Sequence, residues 1–434
     1  MLFFRQIYFH CLLTPYICIK SRFLKTTLHD PFAVLKIKKF RRFLCSRLLV
    51  TLAIQMQSII IGWQIYDATH DPFALGLTGL AEAIPFICTS LFAGHVADKY
   101  NRKSIILLSI TLLFIATLLL LFIGANFSSF YIRFGTMPIY AVIIITGIAR
   151  GFLGPAVSAF WAQLVDRDLY ANASTWNSTM WQSGAVIGPA IGGLICGFWG
   201  LPSAYMINAL LFALSLLFIL FIQYDVVKTI KEKESLKESL SLGLKFVFSN
   251  QKMLGAISLD LFAVLFGGAF VLLPVFASDI LKTGPEGLGF LRAAPAVGAI
   301  IMAVIMAYKP PLKNAGKKLF VNVALFGALT MLFALSANYY LSLIILALIG
   351  AVDNVSVVIR STILQLSTPD NMRGRVSSVN YIFIGSSNEI GAFESGLAAR
   401  LMGLIPSVIF GGAMTIASVV SIYKLFPNLK KLNL

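Results

Sequence analysis

Histidine, cysteine and acidic residues are scarce in this sequence. Its 434 residues include 4 His, 5 Cys and 18 Asp plus Glu. The histidines are far apart and the cysteines show no paired spacing, so neither a metal site nor a disulfide framework is indicated. The chain also lacks a nucleophile elbow and a phosphate-binding loop. We therefore expect no cofactor and no enzymatic activity; a membrane-embedded enzyme is the alternative from a different class.

Charged residues make up only 12% of the chain, while 58% of its residues are hydrophobic. A helix needs about 20 predominantly apolar residues to cross the hydrocarbon core of a bilayer. Twelve stretches meet this requirement, which predicts an all-α polytopic membrane protein. The predicted spans 1 to 12 cover residues 43–65, 74–97, 103–125, 138–165, 172–199, 202–223, 253–278, 285–308, 317–337, 339–366, 376–403 and 405–423.

Basic residues outnumber acidic ones, 35 to 18, and their placement predicts the topology. Most Lys and Arg residues lie before span 1 or in alternate gaps between spans, and the gaps of the other side hold only Arg133 and Lys282. Cytoplasmic loops carry such an excess of positive charge. We therefore expect a multi-pass protein of the inner membrane with both termini in the cytoplasm. Nucleic acid is excluded as a partner because no soluble domain is left to bind it.

A polar break after span 6 divides the spans six and six. Its Lys and Glu residues alternate with Leu236, Leu240, Leu244 and Val247, which predicts an amphipathic helix on the cytoplasmic surface.

The first 35 residues hold apolar runs that are too short to span a bilayer, and a start codon assigned too far upstream explains them equally well. The expected division is a cytoplasmic extension (1–42), a six-helix bundle (43–223), a linker (224–252), a second six-helix bundle (253–423) and a cytoplasmic tail (424–434).

The two halves of the chain match each other. At an offset of 210 residues, Glu82 and Pro85 of span 2 fall on Arg292 and Pro295 of span 8. Two like halves place a binding site between them near the middle of the membrane, which is the architecture of a transporter. At an offset of 203, the matching pairs include Ser183 and Ser386, Gly188 and Gly391, Gly193 and Gly396, and Gly200 and Gly403.

The segment that ends span 2 reads Gly94-His95-Val96-Ala97-Asp98-Lys99-Tyr100-Asn101-Arg102-Lys103. It resembles the G-x-x-x-D-R/K-x-G/N-R-R/K loop of the major facilitator superfamily and shares its position between spans 2 and 3. A stretch of span 5 resembles the G-x3-G-P-x2-G-G pattern of the antiporters in that superfamily, although an earlier glycine of the pattern is Thr175 here. The residues of this stretch are Gly184, Gly188, Pro189, Gly192 and Gly193.

Three further segments are similar to the multidrug and siderophore efflux branch of this superfamily: Trp63 to Tyr66, Arg373 to Arg375, and Ser386 to Glu389. The resemblance covers residues 40 to 425. It implies two pseudo-symmetric six-helix bundles, rocker-switch alternating access, and proton-driven export of a small amphipathic drug or siderophore. A monomer in the lipid bilayer is the expected working form. A lipid or solute facilitator without proton coupling and a purely structural bundle are the alternatives.

In the family, the carboxylate of the loop lies beside span 11, which is expected to begin here near Val376. We expect Asp98 to hold the cytoplasmic side closed in the outward-facing state and to release it as the halves rock. An ordinary surface ion pair, worth about 0 to 1 kcal/mol, is the alternative. The expected gating motif consists of Gly94, Asp98, Lys99, Asn101, Arg102 and Lys103.

Small residues at a four-residue spacing let helix backbones approach closely. We therefore expect Gly184, Gly188 and Gly192 to pack span 5 against span 8 of the other half, with Pro189 and Gly193 in the same stretch. A hinge and static packing explain this pattern equally well.

Ionisable residues inside spans are the main candidates for function, because each costs about 2.5 to 3.5 kcal/mol to insert and usually faces a cavity or a partner. Span 2 lies beside span 11 in this superfamily, so Glu82 is expected to approach Glu389 or Glu394. One of these three carboxylates is expected to carry the proton, and Glu82 is favoured. In the competing hypothesis they only hold the halves together as salt-bridge partners of Arg292, Arg360 or Arg400.

Four further charged residues complete the candidate proton or substrate site: Arg150, Arg292, Asp353 and Arg360. Asp353 and Arg360 lie seven residues apart in span 10 and hence on one helical face. They either neutralise each other or line a cavity. Arg150 lies at the centre of span 4 without a local acid, so it is expected to face the cavity or to pair with another span. An anionic cargo suits an arginine in this position.

Overall fold

The computed structural model describes residues 32–223, 236–308, 313–369 and 372–432, and these residues form helices without a β-strand. Twelve helices, α1 to α12, correspond to the twelve predicted spans. The first four are α1 (Lys38–Thr69), α2 (Pro72–Lys99), α3 (Arg102–Ala125) and α4 (Met137–Trp161). One long segment, Tyr170–Leu220, is interrupted at Gly200, and its arms 170–199 and 201–220 are α5 and α6.

The second half begins with α7 (Gln251–Gly267), which continues irregularly as a 3-10 turn (Ala269–Leu272) and a π-helical turn (Phe276–Ile280). The remaining helices are α8 (Pro285–Tyr308), α9 (Ala315–Ala334), α10 (Tyr339–Ser367), α11 (Arg373–Met402) and α12 (Leu404–Leu425). Among the described residues, ten helical segments are long and apolar enough to cross a membrane. One of these ten is the long interrupted segment that contains both α5 and α6. The polar α11 falls outside that set but packs among the others. The chain is therefore an integral, multi-pass membrane protein.

Polar residues at the helix starts explain where several spans begin. The side chain of Asp71 accepts a hydrogen bond from the backbone N–H of Phe73, and Asn101 caps α3 in the same way. Asn250 and Asn338 do so for α7 and α10. These side chains satisfy amide groups that have no partner within the first turn of a helix.

Two glycines at equivalent positions of the halves have the same unusual backbone conformation. Gly200 links α5 to α6 with φ 77° and ψ 172°, and Gly403 links α11 to α12 with φ 91° and ψ 161°. Positive φ is open to glycine because it has no Cβ. The pair is 203 residues apart, which is the offset of the sequence repeat, as expected if the halves arose by duplication.

The helices form two groups. In the first half α1 packs on the α5–α6 segment, α2 on α4, and α3 on α4. In the second half α8 and α9 pack on α10, and α12 packs on α7 and α9. The groups meet where α2 packs on α11 and α5 on α8. We call this inter-bundle boundary the seam.

The two ends of the seam differ. We call the end that carries Lys38, Lys39 and Lys99 the basic side and the other end the opposite side. One apolar core contains residues of both bundles, such as Tyr66 and Leu288, and lies toward the opposite side. Toward the basic side, each bundle has an apolar core of its own.

The helix Leu236–Ser249 lies between the bundles in sequence and packs on α11. Val247 is buried, and a Cβ at Gly243 would lie 3.1 Å from the carbonyl oxygen of Arg375 and 3.2 Å from Val379. The linker helix is therefore docked on the second bundle at the basic side. Residues 1–31 and 224–235, which hold most of the predicted extension and part of the predicted linker, lie outside the described residues.

Candidate functional site

Polar contacts cross the seam at the opposite side. The Tyr66 hydroxyl of α1 donates a 2.5 Å hydrogen bond to the Asp279 carboxylate in the π-helical turn after α7. Arg400 of α11 lies 3.4 Å from the Asp71 carboxylate and stacks over the ring of Phe73, at 5.0 Å from its centre. These contacts tie α1 to α7 and α2 to α11 near the ends of the helices.

Glycines let the helices approach closely just inside these contacts. A Cβ at Gly76 of α2 would lie 3.0 Å from the Cα of Gly396 in α11. A Cβ at Gly193 of α5 would lie 2.7 Å from the Cα of Gly289 in α8. Because backbone meets backbone here, the seam is tight without interlocking side chains.

Gly184, Gly188 and Gly192 contact a different helix from the one expected. Their Cβ positions lie 2.7 Å from Thr51, 2.9 Å from Leu52 and 2.9 Å from Met56, all in α1 of the same bundle. The expected contact with span 8 is therefore wrong for these three glycines. A four-residue spacing places them on one helical face, and that face is turned to α1.

The contact with α8 is made by the neighbouring face of α5. Gly193 meets Gly289 there, and the carbonyl oxygen of Pro189 lies 2.7 Å from the Cβ position of Gly289. Residues 189 and 193 are four apart and so share a face. The glycine-rich stretch thus serves two interfaces, one within the bundle and one across the seam.

A cluster of charges crosses the seam at mid-membrane. Arg150 of α4 forms an ion pair with Glu82 of α2 in its own bundle, and its Nη1 atom lies 3.8 Å from the Oε1 atom of Glu389 in α11. Arg292 of α8 donates a 2.7 Å hydrogen bond to the carbonyl oxygen of Phe270 in the irregular part after α7. Glu389 interacts electrostatically with both arginines.

This arrangement gives the expected charged residues definite partners. Glu82 does approach the region of Glu389, but the two carboxylates share Arg150 rather than one of the arginines expected from sequence. Arg292 supports the irregular segment after α7, because it donates to the Phe270 carbonyl oxygen that also accepts from the backbone N–H of Leu273. Glu394 forms no ion pair with the described residues.

A second buried ion pair lies inside the second bundle. Arg360 of α10 pairs with Asp260 of α7. Asp353 forms no ion pair with the described residues, so the expected neutralisation of Asp353 by Arg360 is wrong. Arg360 and Asp353 share a helical face, but Asp260 on the adjacent helix presents its carboxylate directly to the guanidinium. Asp353 remains a candidate for the lining of a cavity.

The loop between α2 and α3 ties the helices of the first bundle together. Asn101 caps α3, and Arg102 donates hydrogen bonds to the carbonyl oxygens of Ala97 (3.2 Å) and Ala159 (3.0 Å). The Lys103 ammonium donates to Leu220 (2.9 Å) and also to a carbonyl oxygen just after α6. Lys99 is exposed, and the side chain of Asp98 lies outside the described part of the structure. A Cβ at Gly94 would have no heavy atom within 4 Å.

Sequence reasoning missed three residues of the seam. Asp279 and Asp71 lie at helix ends, where a single carboxylate resembles an ordinary loop residue. Arg47 falls near the start of predicted span 1 and was counted with the basic residues that set the topology, yet it lies beyond the second turn of α1. The signal for Arg47 was its position in the sequence, because it lies further into the first helix than Arg41 and Arg42.

Comparison with known proteins identifies the sequence family. A family model for the Major Facilitator Superfamily matches residues 43–392. The staphyloferrin A transporter of Staphylococcus aureus is 24% identical over 394 residues, covering 89% of this chain and 96% of that protein. The enterobactin exporter EntS of Shigella boydii serotype 18 is 25% identical over 373 residues, covering 86% and 88%.

Solved structures show the same fold. A POT family transporter in complex with 5-aminolevulinic acid superposes with a TM-score of 0.73 at 12% identity, covering 90% of this chain and 96% of that one. The nucleoside transporter NupG superposes with a TM-score of 0.67 at 15% identity, covering 89% and 99%. At these identities the likeness concerns the fold alone.

Proposed function

Because the chain belongs to the major facilitator superfamily, we propose that it is a proton-coupled exporter of a small amphipathic molecule of the drug or siderophore type. Relatives that cover most of the chain are a staphyloferrin A transporter and an enterobactin exporter, both named for siderophores. The helical seam between two bundles supplies the place for alternating access. We propose that the protein works as a monomer.

The proposed orientation places the basic side in the cytoplasm of the cell and the protein in the inner membrane. Positive charge at the helix ends of that side supports this orientation. The apolar core shared by the bundles then lies toward the outside, and the separate cores lie toward the cytoplasm. We propose that the described conformation, whose shared core lies on the outer side in this orientation, is the one that loads cargo from the cytoplasm for export.

The observation that carries the coupling mechanism is the sharing of Arg150 by Glu82 and Glu389 across the seam. Rocking of the bundles separates Glu389 from Arg150, while Glu82 stays with Arg150 in the same bundle. Arg292 moves with Glu389, but in the described structure it forms no ion pair with this carboxylate and donates its hydrogen bond to the carbonyl oxygen of Phe270 instead. A carboxylate that loses its cation in a span is costly as an anion. Glu389 is therefore the proposed proton carrier. Its carboxylate is ionised while it faces Arg150 and is protonated when the bundles move it away from Arg150.

This assignment differs from the choice of Glu82 that the sequence favours. Glu82 keeps its ion pair in both states of a rocking motion because Arg150 moves with it. Its proposed role is to hold the guanidinium in place. Asp98, Gly94 and the basic residues of the same loop remain the proposed latch of the cytoplasmic side in the other state.

Transport by the purified protein in proteoliposomes tests the proposal. Enterobactin and staphyloferrin A are suitable cargoes, with a pH-sensitive dye to report proton movement. We expect cargo movement to drive opposite proton movement in the wild type, and we expect Glu389→Gln to move cargo without it. Exposed Asp168 supplies the matched control, Asp168→Asn.

The same assay separates the candidates for the carrier. Glu82→Gln is expected to slow transport and to leave the proton stoichiometry unchanged, since the carrier is still present. Proton movement that persists in Glu389→Gln would exclude this residue, and its loss in Glu82→Gln alone would return the role to Glu82. Cargo movement without proton movement in the wild type would favour a facilitator.

A further inference from the structure

Arg47 is a charged residue of α1 that the mid-membrane cluster does not use. Its Nε atom is completely buried and has no hydrogen-bond partner. Within the described part of the chain, no ion pair includes this guanidinium. The side chain as a whole is half-buried. A guanidinium with a buried nitrogen and no anion beside it is unfavourable, and charged groups inside spans usually face a partner or a cavity. The missing partner is therefore the feature that needs an explanation.

The surroundings place Arg47 at the seam. Tyr381 of α11, in the other bundle, interacts electrostatically with Arg47 and with Arg150. Tyr381 packs on Phe86, with ring centres 5.8 Å apart, yet 40% of its surface is exposed. A residue that is packed between helices and still exposed lines an internal space. Arg47, Tyr381 and Arg150 thus border one space from α1, α11 and α4.

The three arginines at the seam differ in their counter-charges. Arg150 and Arg292 interact with the carboxylates Glu82 and Glu389. Both carboxylates interact with Arg150 or Arg292, and no carboxylate among the described residues acts on Arg47. Within the described structure, Arg47 therefore lacks the counter-charge that the other two arginines have. The neighbouring Asn380 keeps a buried amide oxygen that also has no partner.

We propose that Arg47 binds an anionic group of the cargo, a carboxylate or a catecholate, in the space between the bundles. A guanidinium can form two parallel hydrogen bonds to such a group. The Tyr381 hydroxyl lies against Gly154 of α4 on the border of this space, and the unpartnered Asn380 amide oxygen accepts from a cargo N–H or O–H. This inference rests on the proposed function and narrows its substrate class to organic anions.

Binding by the full-length protein in phosphatidylcholine nanodiscs tests the proposal without a proton gradient. The probes are 2,3-dihydroxybenzoate and citrate, each compared with its methyl ester by isothermal titration calorimetry. We expect the wild type to bind the anions at least about tenfold more tightly than the esters, equivalent to about 1.4 kcal/mol. Arg47→Gln is expected to remove this preference, and Arg47→Lys to retain part of it.

Arg41→Gln is the matched control, because Arg41 lies in the same helix and is exposed. It is expected to leave the preference for anions unchanged. A wild type that binds none of the anions, or an Arg47→Gln variant that keeps the preference, would overturn the proposal. If anion binding depends on Arg47 while transport proves independent of protons, the coupling mechanism fails and this inference stands.

Two further measurements separate cargo binding from other roles of Arg47. Thermal unfolding without ligand is expected to show an equal or higher Tm for Arg47→Gln, because an unpaired buried charge is removed. A clear fall in Tm would mean that Arg47 supports the structure, which contradicts the proposal. The second measurement repeats the anion-binding titration in nanodiscs that contain phosphatidylglycerol. If this lipid blocks anion binding to the wild type, the ligand of Arg47 is a lipid headgroup and the cargo assignment is wrong.

Discussion

Two groups of buried charges lie within the membrane-spanning helices, and they differ in whether they cross the seam. Arg360 and Asp260 pair within the second bundle, with side chains that are only 7% and 13% exposed. Arg150 and Glu389 face each other across the seam, with 35% and 19% exposure. The pair within the bundle is enclosed and direct, whereas the pair across the seam is longer and more exposed. The first suits a permanent scaffold, and the second suits a contact that breaks in each cycle.

The largest expected effect concerns the pair within the bundle. Removing one partner of a buried ion pair costs about 3 to 5 kcal/mol, because the other charge is left buried and unpaired. We therefore expect Asp260→Leu to lower the free energy of unfolding by that amount. The measurement is reversible unfolding in detergent.

The double variant Asp260→Leu with Arg360→Met is the control, since an apolar replacement of both partners is often close to neutral. Its stability should return most of the way to the wild-type value. If the single and double variants are equally unstable, the pair does not have the structural role given to it here.

Two neighbouring glycines of α5 allow a contact across the seam to be compared with a contact inside one bundle, this time without charged residues. A side chain at Gly193 meets the backbone of α8 across the seam, whereas one at Gly192 meets Met56 in the same bundle. Overpacking costs about 1 to 3 kcal/mol. We expect Gly193→Val to push the equilibrium toward the state that is open at the opposite side, which raises the labelling rate of cysteines placed in the seam there.

Gly192→Val is expected to lower Tm without a comparable change in that labelling rate. Equal labelling of the two variants would show that the two faces of α5 do not serve separate interfaces.

The hydrogen bond from Tyr66 to Asp279 is expected to have an effect of similar size. Tyr66→Phe leaves the carboxylate without this donor, and a hydrogen bond to a charged group contributes about 1.5 to 3 kcal/mol. Because the bond crosses the seam, its loss should favour opening of the opposite side while the unfolding midpoint of each bundle changes little. Cysteine accessibility at that side provides the measurement, and an unchanged accessibility would remove this bond from the closing contacts.

The smallest effect is expected from Arg400. Its ion pair with Asp71 is exposed, and exposed pairs contribute about 0 to 1 kcal/mol. Arg400→Gln should change transport less than twofold when measured with the same proteoliposomes. A large loss of transport would mean that this pair does more than hold the opposite-side end of α2 beside α11.

The sequence predicts the helices well because the bilayer imposes a length and an apolar composition on each span. Span 11 was expected at 376–403 and is found at Arg373–Met402. The repeat also pointed to Gly200 and Gly403, which share a backbone conformation. These features depend on local composition, and local composition is visible in one sequence.

The partners of the buried charges were not predictable in the same way. Hydropathy indicates that a residue lies in a span but does not say which neighbouring helix its face meets. Arg360 therefore pairs with Asp260 and not with Asp353, and Glu82 pairs with Arg150. The break after Gly267 was also missed, because α7 has an apolar sequence on both sides of it. Its signal was the pair Gly267 and Gly268.

Movement of the two bundles is the central claim, and distances between spin labels test it most directly. The exposed residues Phe221 and Leu366 provide one pair at the basic side, and Ile132 and Leu401 provide another at the opposite side. Electron–electron double resonance is recorded after replacement of the native cysteines, in acidic and in alkaline buffer, with and without Glu389→Gln. We expect the two distances to change in opposite directions with pH in the parent protein and to lose this response in the variant. Distances that change in the same direction, or a pH response that survives Glu389→Gln, would contradict the account.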